Sequence, residues 1–267
     1  MLKHVLQHFL GAPGRWLIQS THTFFAALQF TFCVLQRGLL YQHKHPKHNV
    51  IKQVTTTQII FSGIDALFPT LFILSLLISF SVTAQLILFL QNIATEKEVI
   101  SLLTQFVALQ LGPTVTAIVL IARSGSAIAV DLGNMSINNE IKGLRLLGVD
   151  PLIYLAYPRL IGLAISQMTL AVYFSVFTML FGVLFAGLLG SLSNFKYFFI
   201  LIDAISISEL CLFLIKNAIC GIAIAAYACY FGLNVKNSVT EVPQATQKAI
   251  VKSLIAIFFI NAIFAVF

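Results

Sequence analysis

Charged residues are scarce in this sequence. Asp, Glu, Lys and Arg together make up 9% of the 267 residues, whereas soluble domains carry about a quarter. Hydrophobic residues make up 59%, and the mean hydropathy is +0.95. A water-soluble fold is therefore excluded. The apolar segments follow one another with no linker rich in Gly, Ser or Pro, which predicts one domain, 1–267, of an all-α integral membrane protein.

Motifs for several kinds of chemistry are also absent. The sequence has no G-x-x-x-x-G-K-[ST] motif, so this chain does not bind ATP in P-loop fashion. All six histidines lie in the first 48 residues, which argues against a His-based hydrolase within the membrane. His43, His45 and His48 lie in a basic tract without acidic neighbours, which favours a solvated loop over a metal site. We expect no catalytic residues, no metal and no cofactor in this chain.

Long stretches without charge predict the membrane spans, because about 20 apolar residues are needed to cross the hydrocarbon. Three predicted spans are free of charge: Ala66–Gln91, Val99–Ala122 and Leu160–Phe195. Two further spans are predicted over Leu210–Val235, which is broken by Lys216, and Gln244–Phe267, because only fifteen residues follow Lys252. The segment Trp16–Gln36 is more polar, which favours an N-terminal helix in the interface over a sixth crossing. Residues 1–53 are thus expected to form this interfacial helix and a basic loop, and 54–267 the transmembrane bundle.

The distribution of basic residues predicts the orientation of the spans. With a cytoplasmic N-terminus, thirteen of the sixteen Lys and Arg residues fall on the cytoplasmic side. Only Lys97 and Lys196 fall outside, and Lys216 lies within a span. Positive charge concentrates in cytoplasmic loops, so we expect the N-terminus inside and the C-terminus outside. The net charge of +7 then follows from topology and needs no nucleic-acid partner.

A short amphipathic helix is predicted between the second and third spans. From Ile137 to Gly148, apolar residues recur with helical periodicity, while Glu140, Lys142 and Arg145 are available to solvent. Asp150 and the proline after it are expected to stop this helix. Periodicity alone leaves two interpretations equally open: a surface helix packed on the bilayer, or a lever that docks into a partner.

The region around this helix carries a set of short motifs. They are Leu111-Gly112-Pro113, Ala122-Arg123-x-Gly125-Ser126-Ala127, Asp131-Leu132-Gly133-x-Met135, Glu140, Leu146-x-Gly148-Val149-Asp150-Pro151 and Pro158-Arg159. This pattern resembles the signature of the MlaE (YrbE) permease family, the membrane subunits of ABC systems that work with MCE proteins. A looser similarity, with Glu209, Lys216 and Val242-Pro243, extends the resemblance from roughly Gln58 to the C-terminus.

The resemblance implies a function and a set of partners. It implies a permease subunit that moves phospholipid, in the bacterial inner membrane, as part of maintaining outer-membrane lipid asymmetry. The implied partners are a second copy of the chain, two cytoplasmic ABC ATPase subunits that bind ATP and Mg²⁺, and a periplasmic MCE substrate-binding protein. A small STAS-type accessory protein is a further implied partner.

Three groups of candidate site residues follow from the motifs and the predicted spans. The coupling group, expected to contact the ATPase, is Glu140, Ile141, Leu144, Arg145 and Asp150. The lipid-cavity group, expected at a dimer interface, is Leu74, Ile78, Gln85, Gln110 and Leu111. Glu209 and Lys216 are the charged residues that the bilayer penalises most. For Lys216, both an internal structural partner and a lipid headgroup are open.

One difference from the family and two other function classes bear on these predictions. Leu109 and Gln110 stand where the family usually has Arg-Glu, so the polar lining of the second span differs here. A secondary transporter would show paired intramembrane carboxylates or an inverted repeat, and neither is evident in the five predicted spans. A non-transporting scaffold would use the segment between Arg123 and Arg159 only as a docking surface.

Overall fold

In the computed structural model, the regular structure of the described residues is helical throughout. The described residues are 23–41, 53, 55–57, 59–60, 67–83, 85, 104–188, 206–236 and 238–265. The main helices in chain order are α1 (Thr23–Tyr41), α2 (Leu67–Ile78, continued by a wide turn over Ser79–Thr83), α3 (Gln105–Ile137), α4 (Glu140–Leu146), α5 (Leu152–Ala156 as a wide turn, then Tyr157–Leu188), α6 (Ile207–Leu233) and α7 (Glu241–Phe264).

Five of these helices, α1, α3, α5, α6 and α7, are long and apolar enough to cross a membrane. The prediction of an all-α multi-pass membrane protein is therefore confirmed. The shorter apolar helix at α2, Pro69–Val82, lies inside the first predicted span, whose remaining residues are largely outside the described part of the chain. Helix α1 overlaps the segment that was expected in the interface. Its length and composition also suit a crossing, so the interfacial placement stays a prediction.

Helix α3 is longer than the span predicted from charge. It continues past Arg123 to Ile137, because Ser126–Ile137 has no proline that would end it. Its 33 residues correspond to a length of about 50 Å, well beyond the hydrocarbon thickness of about 30 Å. Arg123 thus does not end the second helix, and the last turns of α3 extend the bundle towards α4.

Helix α5 also begins earlier than charge predicted. Arg159 lies inside the helix rather than at its end, and only 8% of the residue is exposed. The burial of this cation is accommodated by Asp131 on α3, whose Oδ2 lies 2.5 Å from the Arg159 Nη2. A charge that is paired inside the bundle therefore does not mark the end of a span.

The core of the bundle forms where α6 packs against α3, α5 and α7. Gly221 on α6 allows the closest approach. A Cβ added there would lie 2.5 Å from the backbone carbonyl oxygen of Leu163 on α5. Small residues at such crossings let helix backbones come together in a membrane, where van der Waals packing is a main force for association. This crossing holds the backbone of α6 close to that of α5 at Gly221.

The helix predicted over Ile137–Gly148 is shorter in the structure and spans Glu140–Leu146. Ile137 belongs to the end of α3, because Asn139 adopts a left-handed conformation with φ 60° and separates the two helices. At the other end Gly148 has φ 77°, a conformation that favours glycine and terminates the helix. Helix α4 is thus a two-turn element held between two left-handed residues.

Candidate functional site

A pocket of about 340 Å³ lies at the end of the bundle where α3 and α6 begin and α7 finishes. Two charged residues, Lys216 and Glu209, line it together with amide and apolar side chains. The other lining residues are Gln105, Leu109, Gln110, Leu212, Phe213, Phe264 and Ala265. The structure therefore brings both predicted intramembrane charges and one predicted cavity residue, Gln110, into the same site. We call it the lysine pocket.

Lys216 is 3% exposed and bonds to the first turns of α3. Its Nζ donates to the Leu109 carbonyl oxygen at 2.7 Å and to Gln110 Oε1 at 3.1 Å. Leu109 lies in a stretch of wide helical turns, Thr104–Leu111, at the start of α3. In a regular α-helix its carbonyl would accept from the amide four residues later. That residue is Pro113, which has no N–H. Because an unsatisfied carbonyl is costly in a membrane, Lys216 stabilises the proline-containing turn of α3. An internal partner for Lys216, one of the two alternatives from the sequence, is present.

Further polar side chains surround the same proline, and we call the set the Pro113 belt. Gln167 on α5 donates through Nε2 to the Pro113 carbonyl at 3.2 Å and to Asn217 Oδ1 on α6 at 3.1 Å. The Ser175 hydroxyl on α5 donates to the Ala108 carbonyl at 2.8 Å. Thr116 completes the belt by donating to the Pro113 carbonyl and accepting from Gln167. Side chains of α5 and of α3 itself thus bond to the carbonyls of Ala108 and Pro113, and Asn217 on α6 joins the belt by accepting from Gln167.

Glu209 lies nearer the end of the bundle than Lys216. It forms a capping box at the start of α6, in which its Oε2 accepts the backbone N–H of Ser206 at 3.2 Å. Seven residues, about 10 Å of helix rise, separate it from Lys216, so the pair is arranged along the helix axis with Lys216 deeper. The pocket therefore has a cation at its inner part and a carboxylate at the end of the helix.

The other predicted cavity residues lie elsewhere. Leu74 and Ile78 on α2 are half-buried and pack against the hydrophobic core, whereas Gln85 is exposed. Leu111 is half-buried and adjacent to Gln110, but it does not line the lysine pocket. The structure thus places one of the five cavity residues in this pocket, and a chamber between two copies of the chain stays a prediction.

The coupling group divides between an inner and an outer set. Ile141 is 8% exposed and Leu144 is half-buried, and both pack against the core of this same chain. Helix α4 therefore uses this apolar face to anchor itself to its own chain, and contact of the coupling group with the ATPase stays a prediction. Glu140 and Arg145 are exposed, as predicted for solvent-facing positions. The next residues, Leu146 and Leu147, are 89% and 79% exposed.

Asp150 has a different local role from the one expected. Its Oδ1 accepts the backbone N–H of Leu152 at 2.9 Å, so it caps the beginning of α5 rather than ending the preceding helix. Its other oxygen, Oδ2, pairs with Arg37 on α1 at 3.3 Å. Asp150 therefore connects α1 to the junction between α4 and α5.

Sequence analysis missed Gln167, Asn217 and the pair of Asp131 with Arg159. Gln167 and Asn217 lie within long apolar stretches, where single amide side chains do not change the prediction of a span. A signal was available, because Gln and Asn in an otherwise apolar span must find partners within the bundle. The predictions for His43, His45, His48, Lys97 and Lys196 lie outside the described residues. Within the described ranges, no cluster of three His, Cys, Asp or Glu side chains could hold a metal.

The fold and the site define a multi-pass membrane protein with a polar belt inside its helix bundle and a charged pocket at one end. Residues 55–267 match the family described as Permease MlaE. The chain belongs to the MlaE permease family.

Three relatives illustrate the similarity. A probable ABC transporter permease protein of Synechocystis sp. is 32% identical over 161 residues, which cover 57% of this chain and 58% of the relative. The chloroplastic protein TRIGALACTOSYLDIACYLGLYCEROL 1 of Arabidopsis thaliana is 31% identical, over 59% of this chain and 45% of the relative. A probable ABC transporter permease protein of Rickettsia typhi is 30% identical, over 57% and 59%. The matched part of this chain thus spans about half to three fifths of each relative's length.

Proposed function

We propose that this chain is the permease subunit of an ABC transporter that moves phospholipids across or out of the bacterial inner membrane. The observation that carries the proposal is the course of α3. Its first turns line the lysine pocket through Gln105 and Gln110, and its last residue, Ile137, is followed within three residues by α4. One continuous helix thus connects a site suited to a lipid headgroup with a surface element suited to a partner.

The proposed partners follow from family membership. They are a second copy of this chain, a cytoplasmic ABC ATPase dimer, a periplasmic MCE substrate-binding protein and a STAS-type accessory protein. ATP and Mg²⁺ are bound by the ATPase, since this chain has no P-loop motif. The proposed orientation places α4 and the end of α6 in the cytoplasm and the lysine pocket towards the periplasm. This places the pocket on the side of the proposed MCE protein.

The proposed contact with the ATPase uses the outward surface of α4. Leu146 and Leu147 extend from the end of the helix, and Glu140 and Arg145 flank them as exposed charges. Ile141 holds the helix to the bundle, so a displacement of α4 on ATP binding is passed to α3 rather than absorbed by a loose loop. Movement of α3 then changes the lining of the lysine pocket.

The proposal is tested by co-purification with the ATPase encoded in the same genome and by lipid transfer between proteoliposomes. The variant is Leu147→Asp, which places a charge in the proposed apolar contact without touching the core. We expect it to lose ATPase association and lipid transfer by roughly tenfold or more, because a buried unpaired carboxylate is strongly unfavourable. Val239→Asp is the control, since Val239 is also an exposed aliphatic residue, 69% exposed, in the turn before α7.

Three outcomes contradict parts of the proposal. Equal losses in Leu147→Asp and Val239→Asp would mean general damage at this end rather than a specific contact. Lipid transfer driven by an ion gradient without any ATPase would favour a secondary transporter. Absence of transfer activity in the intact assembly would favour a scaffold.

The orientation has a separate test with a membrane-impermeant thiol reagent, in a background without the four native cysteines. Single cysteines at Lys97 and Lys196 are expected to react in intact cells. Cysteines at Lys142 and Lys248 are expected to react only after the cells are opened. Labelling at position 142 in intact cells would reverse the proposed topology.

A further inference from the structure

We propose that the lysine pocket selects phospholipids whose headgroup carries an amine beyond its phosphate, such as phosphatidylethanolamine, over anionic phospholipids such as phosphatidylglycerol. This inference rests on the proposed lipid transport and adds the headgroup class. It depends on three features of the pocket: the neutral partners of Lys216, the position of Glu209, and the order of the two charges along α6.

The charge of Lys216 is not neutralised by its partners. Both acceptors, the Leu109 carbonyl and the Gln110 side-chain amide, are neutral. The ion pairs within the described residues are Arg37 with Asp150 and Arg159 with Asp131, and neither involves Lys216. An ammonium group has three N–H donors, and these two contacts account for two of them. A lipid phosphate in the pocket would supply both the missing acceptor and the missing negative charge.

Glu209 can bind a cation while it keeps its structural role. Its Oε2 accepts from the Ser206 backbone, and Glu209 lines the pocket. Oε1 is therefore the carboxylate oxygen that we expect to meet a ligand there. The residue is only half-buried, so a ligand can reach it from the end of the helix. A primary ammonium group is a suitable donor to such a carboxylate.

The order of the charges matches the order of groups in an aminophospholipid. In a leaflet the acyl chains lie deepest, the phosphate lies above them, and the amine lies furthest out. Lys216 is two helical turns deeper than Glu209, and its side chain leans towards the start of α6, which shortens the distance between the two charged groups. Leu212 and Phe213 line the same pocket and offer apolar contacts for the glycerol and upper chain carbons. A phosphatidylglycerol headgroup would leave Glu209 without a cation.

The test compares the lipids retained by the purified protein after reconstitution with equal amounts of phosphatidylethanolamine and phosphatidylglycerol, measured by mass spectrometry. Wild type is expected to retain phosphatidylethanolamine in excess. Glu209→Gln is expected to reduce that excess by about tenfold while total retained phospholipid stays unchanged, because one charge-assisted bond becomes neutral. The substitution preserves the capping box, since a Gln oxygen also accepts the Ser206 N–H. Lys216→Met is expected to reduce retention of both lipids.

Glu241→Gln is the matched control. Glu241 is also a first-turn glutamate, on α7, and its Oε2 accepts the backbone N–H of Lys236 at 3.2 Å at the opposite end of the bundle. It should keep the wild-type lipid ratio. Soluble phosphoethanolamine, added in millimolar excess, should not displace the retained lipid. Displacement would indicate a site for a free headgroup and overturn the assignment to a lipid.

The possible failures are distinguishable. If Glu209→Gln keeps the full preference, or if wild type retains both lipids equally, the headgroup assignment is overturned while lipid transport by the assembly stands. If wild type retains no phospholipid and the assembly transfers none, the proposed function fails as well.

Discussion

The Pro113 belt and the opposite end of the bundle use polar residues in different ways. In the belt, neutral side chains on α5 donate to backbone carbonyls of α3, and Gln167 also donates to Asn217 on α6. Gln167 and Asn217 are 0% exposed. At the opposite end, Arg37 and Asp150 form an ion pair whose side chains are 53% and 35% exposed. The belt satisfies backbone groups that no water can reach, whereas the outer pair joins charges that water already solvates.

This difference indicates where the rigidity of the bundle comes from. Removing a belt donor takes a hydrogen bond from a buried polar group, and this lowers the free energy of unfolding. Removing one member of the outer pair returns the other to solvent at little cost. Helix α4 is accordingly held by the burial of Ile141, and the start of α5 by the cap from Asp150 to Leu152, more than by the exposed ion pair.

Gln167→Leu tests the belt and should have the largest effect. The change removes a donor to the Pro113 carbonyl and the donor to Asn217 Oδ1. The Pro113 carbonyl keeps its bond from Thr116, whereas Asn217 Oδ1 is left in the apolar interior without that donor. We expect a loss of about 1–2 kcal/mol in the free energy of unfolding, measured by denaturation in mixed detergent micelles. Thr169→Val on the same helix is the control, because its exposed hydroxyl bonds only within α5, to Ile165 at 2.9 Å. Equal losses for the two variants would remove the distinction between buried and exposed polar groups.

The sequence predicted the helical class and most of the long spans, because charge-free stretches of 20 or more residues have few alternatives. It misplaced boundaries where a charge is paired internally, as at Arg159, or where a helix continues beyond a charged residue, as after Arg123. It identified Lys216 as buried, since a lone charge in a span is conspicuous. It could not identify the partners Leu109 and Gln110, because they lie more than 100 residues away and meet Lys216 only when α3 packs against α6.

The pair of Asp131 and Arg159 is intermediate in burial between the Pro113 belt and the pair of Arg37 and Asp150. The Arg159 side chain is 9% exposed, whereas that of Asp131 is 57% exposed. Asp131→Ala should cost about 1 kcal/mol, because it leaves a buried guanidinium that still bonds to the Leu155 carbonyl at 3.0 Å. The double variant Asp131→Ala with Arg159→Met should recover part of the loss, since no unpaired charge remains. A double variant less stable than either single variant would mean that Arg159 acts mainly through packing.

Arg37→Ala should give the smallest effect, and Arg37 and Asp150 should not be equivalent although they form one ion pair. Arg37→Ala removes only an exposed ion pair, so a loss of about 0.2–1 kcal/mol is expected, falling further at high salt. Asp150→Ala removes the same pair and also the acceptor for the Leu152 N–H, so it should cost about 1 kcal/mol more. Unfolding of both variants at low and high salt separates the contributions, because only the ion pair is screened. If Arg37→Ala is as costly as Gln167→Leu and insensitive to salt, the pair holds α1 to the bundle as firmly as the belt holds α3, and the contrast between the two regions fails.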